Sequence, residues 1–286
     1  MAHKSKQSLI SQVNERIKSF DKRGQSKHKA KDEHGHVDDI YGNSTYDKYL
    51  RVCCRFVTWC KTNHKCKTLD DCRRYVDGWI TELIDAKYSA STIKQYACAV
   101  AKLYQCSTKE FIKTPSRYRK DIKRSRGKKV RDAHFSEANH KDTVEFCRST
   151  GLRRHELKAL RTGDHIYEDG VYYVHVRRGK GGKERYAKVI GDIQNVIDCF
   201  EKSKNDKYGR VFPKIPNGMD VHGYRREYAN TYYNMIARNV KNLSRKETYR
   251  CYKDKYGIVY DRKAMLTVSR NLGHNRIDVI AQSYLD

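Results

Sequence analysis

From Ser44 onward the apolar residues Tyr46, Leu50, Cys53, Phe56, Val57 and Cys60 recur at spacings of three and four, one face of an amphipathic helix with Ser44 as its N-cap. The same spacing predicts two further helices, from Leu69 to about Ala86 behind Thr68 and from Thr92 to about Tyr104 behind Ser91. Residues 44–112 therefore read as a small all-helical domain. Upstream, residues 1–43 are rich in Lys, His, Asp and Gly and contain one apolar-periodic piece, Leu9, Ile10, Val13 and Ile17. That is enough for a short helix in a basic, partly flexible segment.

Beyond Asp132 the periods mix. Helical spacing over about 136–149 and 153–161 gives way to the alternating runs VYYVHVRR and ERYAKVI, two strands around the turn GKGG. Helices are predicted again near 192–203, 222–238, 263–272 and 277–285, separated by the loop FPKIPNGMD and a charged stretch at about 239–262. Residues 132–286 thus form an α+β domain, and the fold class is mainly α with a small β-sheet. A chain of 286 residues accommodates two ordinary domains with their own cores.

Charge changes the picture most. The 61 Lys and Arg against 34 Asp and Glu give a net charge of +27, which repels itself unless a polyanion screens it. Nucleic acid is the expected partner. Between the domains, Lys113–Arg131 holds ten basic residues against the single acid Asp121. Such a run is either a solvated tether or a linker drawn onto phosphates, and in the second case Arg117, Arg119, Lys120, Lys123, Arg124, Arg126, Lys128 and Lys129 are its DNA contacts. There is no run of about 18 apolar residues, and MAHKSKQSL is polar, so a soluble, cytoplasmic protein with no membrane partner is expected.

The ten cysteines contain no Cys-x-x-Cys pair, which argues against zinc, and without an export signal they behave as small apolar residues. His28, His34 and His36 lie in a charged, glycine-containing stretch and read as solvated.

Four short stretches carry candidate chemistry. In TGLRRHELKAL, a helix after Gly151 aligns Glu156 with Leu152, Ala159 and Leu160, so the carboxylate needs a cation, and Arg153 is three residues away. In HGYRREYANTYYNMI, His222 and Arg225 share the first turn of a helix, a place suited to an oxyanion, although a structural histidine also fits. In RRGKGGKER, Lys180 sits on a glycine-flanked turn without the spacing of a Walker loop, and by itself is a basic hairpin tip. In NRIDVIAQSYLD, Tyr284 shares the inward face of the last helix with Ile277 and Ile280, and by itself reads as a terminal anchor.

Taken in order, TGLR, GKGGKER, HGYR, NLGH and a following tyrosine resemble the active-site signature of the tyrosine recombinases, the phage-integrase family. The resemblance runs from about Ser44 to the C-terminus, with residues 44–112 similar to the family's core-binding domain and 132–286 to its catalytic domain. It implies that Arg153 and Arg225 are the two catalytic arginines, Lys180 the hairpin lysine, His222 and His274 the two histidines, Tyr284 the nucleophile and Glu156 the supporting acid. One departure stands out: ten positions separate His274 from Tyr284, against nine commonly in the family.

On this resemblance the chain is a site-specific recombinase or integrase of a bacterium, phage or other mobile element. It would cleave and rejoin double-stranded DNA through a 3′-phosphotyrosine without metal or ATP. Two arginines bind and neutralise the phosphodiester, and exchange of one phosphoester for another is nearly isoenergetic. A tyrosine hydroxyl, ordinarily of pKa about 10, needs a base, for which His222 is the candidate, and Lys180 would protonate the leaving 5′ oxygen. A type IB topoisomerase uses similar residues, and a non-catalytic DNA-binding protein could keep the fold. An RNA-binding protein lacks support, since no RNP-type aromatic signature is visible.

Family members extend past the tyrosine with a tail that packs into a neighbour. With only Leu285 and Asp286 following here, the expectation is a monomer when free that self-associates as a tetramer on DNA, through residues 1–43 or the 239–262 stretch.

Overall fold

The computed structural model describes residues 7–118, 135–252 and 255–285. The chain divides into two compact units, Met1–Ile122 and Lys123–Asp286.

In the first unit, α1 (Leu9–Lys18) starts where the Ser8 side chain accepts from the Ser11 amide, as an N-cap serine does. It is followed by α2 (Lys27–His34), α3 (Asn43–His64), α4 (Leu69–Arg73), α5 (Val76–Asp85) and α6 (Ala90–Leu103). The core joins Val52, Phe56 and Val57 of α3 to Trp79 and Ile80 of α5 and Ile93 and Val100 of α6, with the Phe56 and Trp79 rings 5.2 Å apart. Residues 1–43 were set apart by composition, yet Leu9, Val13, Ile17, Phe20 and Ile40 belong to this same core. Buried Lys102 ties the segment down, donating to the Asp38 carbonyl and lying over the Phe20 ring.

Three boundaries differ from the expected ones. Helix α3 begins at Asn43 behind Gly42, not behind Ser44, and α6 begins behind Ser89, whose side chain accepts from the Thr92 amide, not behind Ser91. The helix expected from Leu69 to Ala86 is broken at Arg74–Tyr75. There Tyr75 stacks on His64 at 3.8 Å and Arg73 reaches Glu110, tertiary contacts that local periodicity does not contain.

In the second unit, α7 (Lys141–Thr150) and α8 (Arg154–Ala159) precede an antiparallel sheet of β1 (His165–Glu168), β2 (Val171–Val176) and β3 (Arg185–Lys188), in that order. Register pairs Val174 with His165 on one side and with Ala187 on the other. Tyr172, Val174 and Val176 face inward, as their alternation predicts. Then follow α9 (Ile193–Ser203), α10 (Val221–Ile236), a two-stranded sheet of β4 (Thr248–Arg250) and β5 (Val259–Asp261), α11 (Arg262–Asn271) and α12 (Asp278–Ser283). Strands β1, β4 and β5 are additions to the expected elements; β4 and β5 are three residues each, too short for a periodic signal.

Two apolar clusters fill this unit. One gathers Phe146, Leu157, Val174, Phe200 and Met219 around the sheet, and the other gathers Tyr228, Met265, Val268, Leu272 and Ile280 where α10, α11 and α12 meet. Helix α10 contributes to both, with Tyr224 in the first and Tyr228 in the second, and Arg225 lies between them. Among the described residues no helix is long and apolar enough to cross a membrane, and none of the clusters of His, Cys, Asp and Glu could hold a metal ion.

Candidate active site

The turn between α7 and α8 sets the first arginine. Gly151 closes α7 in the left-handed conformation, at φ 61°, and a Cβ there would stand 2.5 Å from the Tyr228 ring, so no larger residue fits. The chain turns at once into α8, where Arg153 is the N-cap residue. Its amide donates to Glu156 Oε2 at 2.8 Å and its Nη1 to Glu156 Oε1 at 2.8 Å. Both side chains are buried, Glu156 to 3% exposure.

Glu156 is also gripped from β3. Arg185 donates to both its oxygens, at 2.9 and 2.8 Å, a bidentate pair. Burial alone would raise the carboxyl, but the bonds and charges of Arg185 and Arg153 outweigh it and hold Glu156 down at about 2. The cation that a buried Glu156 requires is therefore supplied twice, and Arg185 was not among the residues expected from the sequence. The signal was its charge inside an otherwise alternating strand.

Arg225 is fully buried in α10, one turn beyond its start. Its Nη1 donates to the Gly151 carbonyl, its Nη2 to the Leu272 carbonyl at 2.6 Å, and its Nε to the Tyr284 hydroxyl at 3.1 Å. Burial pushes this guanidinium down to about 10; the Tyr284 hydroxyl opposes the shift and the Arg153 charge adds to it, and the group stays cationic at neutral pH. A buried cation so held is oriented by its carbonyl acceptors rather than neutralised by a carboxylate.

His274 follows α11 in the loop to α12, with its amide on the Ser269 carbonyl at 2.8 Å. Its Nε2 lies 3.4 Å from Arg153 Nη2, 3.4 Å from Arg225 Nη2 and 3.3 Å from the Tyr284 hydroxyl. Burial, then the charges of Arg225, Arg153, Lys180 and Arg185, push the imidazole down to about 4. It is neutral at pH 7, and in its Nδ1–H tautomer Nε2 is the acceptor facing these donors.

Tyr284 ends α12 and is 8% exposed. Its carbonyl accepts from Asn230 of α10 at 2.7 Å, and its ring lies beneath the Arg225 guanidinium carbon at 5.5 Å. The ten-position connection from His274 thus brings the hydroxyl to both Arg225 and His274.

Arg153, Glu156, Arg225, His274 and Tyr284 are therefore one hydrogen-bonded group. Lys180 is exposed at the β2–β3 tip, close enough for its charge to contribute to the depression of His274. His222 is exposed in the first turn of α10. It had been the expected base, but His274 is the imidazole 3.3 Å from the tyrosine hydroxyl. Of the expected linker contacts, Arg117 is exposed, while Arg119, Lys120, Lys123, Arg124, Arg126, Lys128 and Lys129 lie outside the described residues, as do parts of the 239–262 stretch.

No protein-family model matches the chain, and no curated protein does. Solved structures do. A XerH site-specific recombinase bound to its difH substrate in a pre-cleavage complex aligns with a TM-score of 0.51 at 12% identity, covering 96% of this chain and 91% of that one. The same recombinase on a palindromic difH substrate, in a post-cleavage complex, gives 0.53 at 13% identity, covering 97% and 91%. At such low identity the likeness speaks to backbone architecture, and it spans nearly the whole of both chains. The fold of this chain is that of the tyrosine recombinases, mainly α with two small antiparallel sheets.

Proposed function

We propose that this chain is a site-specific DNA recombinase or integrase that cleaves and rejoins strands through a 3′-phosphotyrosine intermediate. The observation that carries the reading is the placement of the Tyr284 hydroxyl against Arg225 Nε and His274 Nε2, with Arg153 Nη2 at that same imidazole nitrogen. A nucleophile, two cations and a neutral acceptor around one point suit attack on an anionic phosphodiester.

In this reading the phosphate enters between Arg153 and Arg225, whose guanidiniums bind its non-bridging oxygens and stabilise the charge that grows as a fifth oxygen approaches phosphorus. His274 Nε2 accepts the proton from Tyr284 as its oxygen bonds to phosphorus. The bond to the 5′ oxygen breaks, and Lys180 donates a proton to that oxygen, with His222 beside the phosphate from the first turn of α10. One phosphoester is lost and one gained, so the free 5′ hydroxyl of another strand can reverse the step without ATP. The basic charge of the chain, the Lys113–Arg131 run and the helical unit would hold the duplex, and self-association on DNA would pair two sites.

The test is a DNA substrate with a nick next to the scissile phosphate, so that the released fragment diffuses away. A denaturant-resistant protein–DNA adduct at Tyr284, mapped by peptide mass, is expected. If no adduct forms on any pooled random duplex that the chain retains, the reading fails.

A further inference from the structure

Arg185 makes contacts that exceed what the sheet requires of a strand residue. It lies in β3, directly after the tip that carries Lys180, and its side chain is 9% exposed. Its Nη1 and Nη2 hold Glu156, the partner of Arg153, and its Nε donates at 3.0 Å to the carbonyl of Asn271, the last residue of α11 before the loop to His274.

Two glycines are shaped around it. A Cβ on Gly179 would fall 2.9 Å from Arg185 Nη1 and 2.8 Å from the Lys183 carbonyl, and a Cβ on Gly273, at φ 71°, would fall 3.2 Å from Arg185 Cδ. The residue before Lys180 and the residue before His274 are thus both packed against one guanidinium. The tip itself closes on Gly179, whose amide donates to the Lys183 carbonyl at 2.6 Å.

We infer that Arg185 is a positioning residue, the brace that sets the Lys180 hairpin against Arg153 and His274 so that the lysine meets the leaving oxygen. Three separate elements of the site, the α8 turn, the hairpin and the α11–α12 loop, converge on this one planar fork. Lysine in its place carries its three donors on one nitrogen and lacks the spread of Nε, Nη1 and Nη2 with which Arg185 spans the Asn271 carbonyl and both Glu156 oxygens. Arg153 keeps its own two bonds to Glu156 without Arg185, so the defect should fall on the hairpin and not on phosphate binding.

The catalytic part of this inference rests on the proposed strand-cleavage reaction, and its test has one arm that does not. Arg185→Lys and Arg185→Gln are compared with the unaltered chain by amide hydrogen exchange. Faster exchange is expected in peptides spanning 177–184, with α7 and α9 unchanged; an unaltered hairpin overturns the brace, and exchange raised throughout the unit reduces Arg185 to a general stabiliser.

In the second arm, cleavage is timed on DNA with the ordinary 5′ oxygen and on DNA whose scissile 5′ oxygen is replaced by sulfur. The P–S bond breaks to release a thiolate that needs no proton. A hairpin displaced by an ångström should slow Arg185→Lys by about 100-fold on the oxygen substrate and by much less on the sulfur one. Equal slowing on both overturns the assignment to Lys180. If the unaltered chain cleaves neither substrate, the strand-cleavage reading fails, and the exchange arm still decides whether Arg185 holds the hairpin.

Discussion

The Tyr284 hydroxyl accepts a hydrogen bond from Arg225 Nε at 3.1 Å, both side chains buried and both from one chain. In the proposed reaction, a nucleophile so aligned on the phosphate-binding cation would need little rearrangement before attack. Tyr284→Phe keeps the ring and its packing and removes the hydroxyl alone. It should abolish the covalent adduct while DNA retention persists, and cost about 1–3 kcal/mol of stability because a buried donor loses its acceptor. Denaturing gels and a denaturant midpoint report the two effects, and an adduct formed by the Phe variant would move the nucleophile elsewhere.

Arg225 also satisfies the carbonyls of Gly151 and Leu272, so it is at once a part of the site and a part of the core. Arg225→Lys preserves the charge and loses the fork. Cleavage should fall by about 100-fold or more. Stability should fall by about 1–3 kcal/mol for each carbonyl left unpaired. A variant equal to the unaltered chain in both respects would contradict the geometry described.

Acid should weaken the fold in two windows. His274 is held at about 4, below its ordinary 6.5, so between those values the unfolded chain binds the extra proton and stability falls as pH drops from about 6.5 towards 4. Glu156 is held at about 2 against an ordinary 4.5, so its contribution is complete above about 4.5 and is lost as pH falls towards 2. His274→Gln should flatten the pH dependence of the denaturant midpoint in the upper window, and Glu156→Gln in the lower one. Unchanged slopes would mean that neither group titrates abnormally.

Much of this site was legible because short motifs sit at element ends, where spacing and turn residues are informative. Gly151 before Arg153, the glycines around Lys180 and the inward stripe of Ile277, Ile280 and Tyr284 all mark places where the backbone can do little else. Legibility failed where a residue's role depends on distant elements. Arg185 is an ordinary strand cation until Glu156, Gly179 and Asn271 close around it, and His274 outranks His222 at the tyrosine only because the α11–α12 loop folds back over Arg153. The burial of Leu9, Val13 and Ile17 beside α3 likewise required tertiary contacts that a charged, glycine-containing segment does not advertise.

Binding to duplex DNA should weaken steeply with salt, as expected for a chain of net charge +27. Replacing Arg124, Arg126, Lys128 and Lys129 with Ala should reduce the slope of log affinity against log salt by about 0.9 for each phosphate contact removed. A slope that does not change would return the linker to a solvated tether.

Because Tyr284 reaches Arg225 and His274 within its own chain, cleavage is expected in cis. Asn230 holds the Tyr284 carbonyl at 2.7 Å and Ile280 and Leu285 are buried in the α10–α12 core, so releasing the tyrosine to a neighbour would expose apolar side chains and break buried hydrogen bonds. Mixing Tyr284→Phe, which should form no adduct, with Arg225→Lys, which should be slowed by about 100-fold or more, gives a direct measure. In a cis site every Tyr284 faces a defective Arg225 position and every intact Arg225 faces phenylalanine, so the mixture should form no adduct above either variant by itself. In a trans arrangement, assembly of the two on DNA would reconstitute a fraction of complete sites, and adduct on the Arg225→Lys chain would appear in proportion to mixing. That outcome would require α12 to leave the core described here before the strand is cut.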